Sequence, residues 1–142
     1  MTPSIFLHSE DVEFSVAKSK KVIQWISLAA KSRSFEIGEI NYIFCSDSYL
    51  LIINKEYLGH DYYTDIITFD QSDQENQISG DIFISIDRVR ENAETFNVSF
   101  TDELHRVMIH GVLHLIGVND KTPDEKSEMR KLEDHYLALR EF

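Results

Sequence analysis

Residues 110–120 read HGVLHLIGVND: two histidines four apart in an apolar run, then a glycine, then an aspartate. On an α-helix, side chains four apart share a face with Cβ atoms about 5–6 Å from each other, so His110 and His114 can offer two ring nitrogens to one point. Gly117 falls near that face, and a glycine there lets the chain turn back sharply. Asp120 then comes round to the same point. Two imidazoles and a carboxylate in H-x3-H-x5-D form a three-ligand metal set with a fourth position open for water. The stretch from Val107 to Ile116 is apolar almost all round, so the helix should be buried, and one ion would partner both buried histidines at once. The competing reading is a pair of core histidines hydrogen-bonded to carbonyls or carboxylates, with Asp120 an ordinary loop residue. His8, His105 and His135 lack such spacing and read as structural.

One zinc ion per chain suits this ligand set, and a zinc site with an open position points to hydrolysis, with the metal-bound water as nucleophile. The carboxylate makes Mn²⁺ or Fe²⁺ more competitive. A zinc peptidase would write H-E-x-x-H with a glutamate base after the first histidine, and that position here is Gly111. An iron oxygenase is a formal alternative.

Working outward, Thr101, with Asp102 and Glu103 in the first turn, is expected to open the histidine helix, which Gly117 ends. After it, Thr122, Pro123 and Glu125 write a capping box with proline at the first helical position. Before it, TDIITFD (64–70) and ISGDIFISI (78–86) are β-branched and aromatic and read as strands around the polar loop QSDQENQ. Asp87 is expected to cap the helix RVRENAETF. Further upstream come a strand IFLH (5–8), a helical stripe from Val16 to about residue 32, a strand over 39–45, and a helix capped by Ser46 that runs to about Tyr57. This order predicts one α+β domain over residues 1–142, with a small mixed sheet of about four strands, about five helices and a zincin-like metal helix.

At 142 residues the chain can bury a core without staples, so a metal is not needed merely to fold it. The lone Cys45 permits no internal disulfide, and a reducing cytoplasmic setting is the expectation. The first twenty residues lack a signal-peptide pattern, and no apolar run is long enough to cross a membrane. A net charge of −11 argues against a polyanionic partner. The distribution softens that argument: no acidic residue lies between Glu13 and Glu36, where Lys18, Lys20, Lys21, Lys31 and Arg33 fall. This basic helix is either a phosphate-binding face or a solvated one.

The HGVLHLIGVND segment resembles the H-G-x-L-H-L-x-G-x-D-H signature of the YbeY family of bacterial endoribonucleases and rRNA-maturation factors. INKEYLGHDYYTDIITFD (53–70) and SGDIFIS (79–85) resemble two further signatures in the right order, and the late helix with Met129 and Glu133 extends the similarity over most of the chain. The resemblance implies a zinc-dependent hydrolase that cuts single-stranded RNA, linked to 16S ribosomal RNA maturation and ribosome quality control, with the small ribosomal subunit or its proteins as partners and no membrane. His110 and His114 match the family's ligands directly, while the usual third histidine falls on Asp120. Leu58 stands where the family commonly has arginine, and Tyr63 where it commonly has proline.

The resulting expectations are a metal set of His110, His114 and Asp120, with RNA guided by Lys18, Lys20, Lys21, Lys31, Arg33, Lys55 and His60. Tyr57, Tyr62 and Tyr63 would stack on bases or pack locally, Asp65 and Asp81 would move protons or hydrogen-bond backbone, and the general base is unassigned. The alternative is a non-catalytic rRNA- or ribosome-binding assembly factor with a structural metal.

Overall fold

The computed structural model describes residues 4–142. Four strands, β1 (Ser4–Ser9), β2 (Glu36–Cys45), β3 (Ile66–Asp70) and β4 (Gln77–Ser85), form one sheet in the order β1-β2-β4-β3. β2 pairs in parallel with both β1 and β4, and β3 runs antiparallel along β4. Five helices surround it: α1 (Ser19–Ser32), α2 (Asp47–Leu58), α3 (Ile86–Phe96), α4 (Phe100–Ile116) and α5 (Pro123–Ala138). This is the mixed-sheet α+β domain the residue pattern predicts.

The central strands decide the layering. On β2, Ile40, Tyr42 and Phe44 alternate into one face, and Ile78, Ile82 and Ile84 of β4 join them against Val22, Trp25 and Ile26 of α1 and the buried side of α4. The opposite face is smaller: Cys45 and Ile67 meet Leu50 and Ile53 of α2. α4 is therefore enclosed between the sheet and α5, which contributes Met129 and Tyr136 to the main core. Two hydrogen bonds tie the layers, from the Tyr42 hydroxyl to the Met108 carbonyl (2.8 Å) and from Trp25 Nε1 to the Tyr136 carbonyl (2.8 Å).

Gly111 is where α4 touches the sheet. A Cβ there would stand 3.0 Å from Ile82 side-chain atoms and 3.1 Å from Ile66, so a larger residue pushes the metal-spacing helix outward. Gly111 thus faces the core, not the side on which His110 and His114 sit.

Several boundaries differ from expectation for local reasons. The hydroxyl of Ser85, not Asp87, caps α3 by accepting from Arg88 N (3.1 Å), so Ile86 is the first helical residue and not the last of the strand. Ser99, not Thr101, caps α4 by accepting from Asp102 N (3.0 Å). α1 begins at Ser19, after Lys18 in a left-handed conformation (φ 54°), so Val16 is buried outside the helix it was expected to join. Ser46 and the Thr122–Glu125 capping box stand as predicted. Among the described residues, no helix is long and apolar enough to cross a membrane.

Candidate metal centre and its cavity

α4 presents Glu103, Arg106, Val107, His110 and His114 to one cavity, the i, i+3, i+4, i+7 rhythm of a single helical face. The cavity has a volume of about 930 Å³. Its other walls come from the segment between α2 and β3 (His60, Tyr62, Thr64, Asp65), from α3 (Asn92, Phe96), and from α5 (Arg130, Glu133).

Gly117 ends α4 with φ 108° and its N–H bonded to the His114 carbonyl (3.0 Å), so the chain doubles back at once. That return brings Asp120 Oδ2 to 3.3 Å from His110 Nε2 and 3.3 Å from His114 Nε2. One ligand atom from each of the three lies within 4.8 Å of the others, and among the described residues no other trio of His, Cys, Asp or Glu converges this way. A tetrahedral ion with bonds of about 2.0–2.1 Å sets its ligand atoms about 3.3–3.4 Å apart, and both histidine–Asp120 distances match that spacing. Two imidazoles and a carboxylate suit zinc, manganese or iron.

The imidazole of His110 is fixed from behind. Its Nδ1–H donates to Glu133 Oε2 (2.6 Å), which leaves Nε2 as the atom turned toward Asp120. Glu133 Oε1 in turn accepts from Arg106 Nη1 (3.1 Å), and Arg106 Nη2 donates to Asp134 Oδ1 (2.7 Å). Burial acts to lower the basicity of His110, yet the hydrogen bond and charge of Glu133, with Asp120, hold it above the usual histidine value. His114 goes the other way: burial and the neighbouring charge of His110 lower it. The cluster is thus a polarised one, with Asp120 facing both imidazoles and Glu133 bonded to His110 alone.

Two further carboxylates face the cavity under strain of burial. Asp65, just before β3, is pushed above its ordinary value by desolvation, which the charge of His110 only partly offsets. Glu103 is raised by burial too, with Arg106 as the partial offset, and among the described residues its Oε1 has no hydrogen-bond partner.

The family model described as Endoribonuclease YbeY matches residues 4–140. The chain belongs to that family. A relative from Cytophaga hutchinsonii, named Endoribonuclease YbeY, is 51% identical over 139 residues, covering 98% of this chain and 97% of its own. A relative of the same name from Parabacteroides distasonis is 50% identical over 136 residues, covering 96% and 95%. The solution structure of TM1509 from Thermotoga maritima superposes with a TM-score of 0.65 at 28% identity, over 94% of this chain and 86% of that one.

The remaining residues singled out in the sequence divide by position. His60 lines the cavity, its ring stacked on Tyr62 (centroids 5.2 Å apart) and its Nδ1 3.0 Å from the Tyr62 hydroxyl. Lys55 pairs instead with Asp61 (3.2 Å). Lys18, Lys20, Lys21, Lys31 and Arg33 are exposed on and around α1 and none lines the cavity. Leu58 lines it, as does Asp65, whereas Asp81 lies on the sheet and accepts from Asn41 Nδ2 (3.2 Å). Tyr57 packs edge-on to Phe69, and Tyr63 lies under the Arg88 guanidinium. Glu133, Arg106 and Glu103 were missed as site residues. The available signal was a carboxylate in the core stripe Met129, Glu133, Tyr136, at i, i+4 and i+7.

Proposed function

We propose that the protein is a zinc-dependent endoribonuclease that hydrolyses phosphodiester bonds in single-stranded RNA and serves 16S ribosomal RNA maturation in the cytoplasm, in contact with the small ribosomal subunit. The observation that carries this reading is Asp120 Oδ2, 3.3 Å from the Nε2 atoms of both His110 and His114, on the wall of a wide cavity in a chain of an endoribonuclease family. A zinc ion held by these three side chains would supply Lewis acidity toward water and toward the phosphoryl oxygens of the scissile group.

The chain's own residues divide the remaining work. Glu133 fixes the tautomer of His110 through Nδ1, and Arg106 holds Glu133 in place. Asp65, on the wall of the same cavity and made more basic by burial, takes a proton from the attacking water. The stacked His60–Tyr62 pair borders the entrance and offers an aromatic surface to an unpaired base. The basic face of α1, outside the cavity, suits a flanking stretch of RNA or ribosomal surface.

Two other readings fare less well. A purely structural ion is normally closed by four protein ligands, and here three converge beside open space. A peptidase of the H-E-x-x-H kind needs a glutamate at Gly111, which is packed against Ile82 and Ile66.

The test is cleavage of a fluorescent single-stranded RNA by purified wild type beside His114→Ala. Cleavage that disappears in the variant supports the reading; equal cleavage in both sinks it. Elemental analysis of wild type and His110→Ala should give stoichiometric zinc in the first and its loss in the second.

A further inference from the structure

Charge around the cavity poses a problem for any polyanion that enters it. Asp65, Asp70, Glu103, Asp120 and Glu133 all line it. Against them stand three permanent cations, Arg106, Lys121 and Arg130. Arg106 is already committed, at 3.1 Å to Glu133 and 2.7 Å to Asp134. Lys121, on the loop after Asp120, is exposed and without an ion-pair partner among the described residues, but it is a compact ammonium with no neighbouring ring.

Of the three, Arg130 alone combines a free guanidinium with an adjacent ring. It is exposed, has no ion-pair partner among the described residues, and its guanidinium lies 5.9 Å from the centroid of the Phe96 ring. It stands three residues before Glu133 on α5, so it shares the cavity-facing side with the carboxylate that holds His110. Phe96, in the last turn of α3, lines the cavity and keeps 52% of its surface in solvent, so its ring is accessible to a ligand there. Asn92, one turn earlier on α3, lines the same wall and adds an amide. A planar cation beside an exposed ring matches the two halves of a nucleotide: a phosphate for the guanidinium fork and a base for the ring face.

We propose that Arg130 and Phe96 form a nucleotide subsite on the α3–α5 side of the cavity, taking one phosphate and one unpaired base of single-stranded RNA next to the metal centre. The subsite rests on the nuclease reading above and adds to it the direction in which the strand lies, across α5 and toward α3. Arg130 supplies the cation that Arg106, tied to its carboxylates, cannot, and the ring of Phe96 limits where its guanidinium can go.

The experiment measures binding of a 2′-O-methyl single-stranded RNA, its intactness checked on a denaturing gel, by fluorescence anisotropy between 50 and 200 mM salt, on zinc-loaded protein. Arg130→Gln is expected to weaken binding and reduce the slope of log affinity against log salt by about 0.7, the share of one phosphate on a single strand. Phe96→Leu should weaken binding about fivefold or more at every salt concentration with the slope unchanged. Lys126→Gln, an exposed α5 cation outside the cavity, is the control and should change neither. Both test positions are exposed, so circular dichroism of the variants should match wild type. If wild type binds and cleaves RNA while Arg130→Gln keeps the same affinity and slope, the subsite is wrong and the nuclease reading stands. If wild type binds, Arg130→Gln binds weakly, and cleavage survives His114→Ala, the subsite stands and the nuclease reading falls. Absence of RNA binding by wild type overturns both.

Discussion

Glu133 Oε2 lies 2.6 Å from His110 Nδ1, and this contact between α5 and α4 orients the first metal-spacing imidazole before any ion arrives. A carboxylate behind a ligand histidine fixes the ring and raises its donor strength, and losing it typically costs 10–100-fold in metal affinity. Glu133→Gln keeps an acceptor of similar shape and removes the charge. The expected result is zinc affinity reduced by about 10–100-fold in a chelator competition, with the circular dichroism spectrum of the fold retained.

Asp65 is predicted to act on the proton and not on the ion. It lines the cavity outside the converging trio, and its burial raises its proton affinity. Asp65→Asn should lower kcat by about 10²–10⁴-fold while zinc stoichiometry stays at one. A parallel loss of zinc would move Asp65 from proton transfer to the support of the ligands.

His105 gives a pH dependence unrelated to the site. It is buried beside the rings of Trp25 and Phe142, and its Nδ1 lies 2.7 Å from Arg140 Nη1, so it accepts a hydrogen bond and must be neutral there. Burial first, then the charge of Arg140, lowers it from 6.5 to about 4. Because the folded value is below the unfolded one, the unfolded chain binds a proton that the folded chain refuses. The stability His105 supports is complete above pH 6.5 and is lost as pH falls toward 4. At about 1.4 kcal/mol per unit the loss approaches about 3 kcal/mol. His105→Gln, which still accepts from Arg140 and does not titrate, should show a correspondingly flatter fall in urea stability over that window.

Legibility in the sequence followed the range of the interaction. The capping box at Thr122–Glu125, the helix stop at Gly117 and the spacing of His110 and His114 are settled within a few residues, and each appears where the pattern puts it. The caps of α3 and α4 each lie two residues before the expected ones because serine and a nearby aspartate or threonine compete for the same role, and only backbone geometry selects Ser85 and Ser99. Asp120 could be placed because a single turn connects it to His114. The partnership of His110 with Glu133 spans 23 residues and depends on how α5 crosses α4, which no local spacing encodes. The wall formed by Phe96 and Arg130 joins two helices in the same way and was equally invisible. Conversely, the basic run on α1 was conspicuous in the sequence, yet it lines no part of the cavity.

Gly117 offers a way to test whether the turn, and not just the ligands, builds the centre. Both Gly117 (φ 108°) and Gly59 (φ 67°) occupy left-handed backbone at the end of a helix, and a Cβ at either position would meet open space. Alanine at either should therefore cost strain without a clash, about 1–2 kcal/mol of stability. The two glycines differ in the segment each one leads into. Gly117 is three residues from Asp120 and sets the return path that brings Oδ2 within 3.3 Å of both imidazoles. Gly59 connects α2 to the segment carrying His60 and has no ligand within reach. Strain at Gly117 relaxes most easily by letting the 118–120 segment swing away, which separates the third ligand from the other two. Gly117→Ala should thus lose zinc affinity by tenfold or more in chelator competition as well as thermal stability, while Gly59→Ala loses thermal stability alone. Matching zinc affinities in the two variants would mean that Asp120 reaches the histidines without help from the turn.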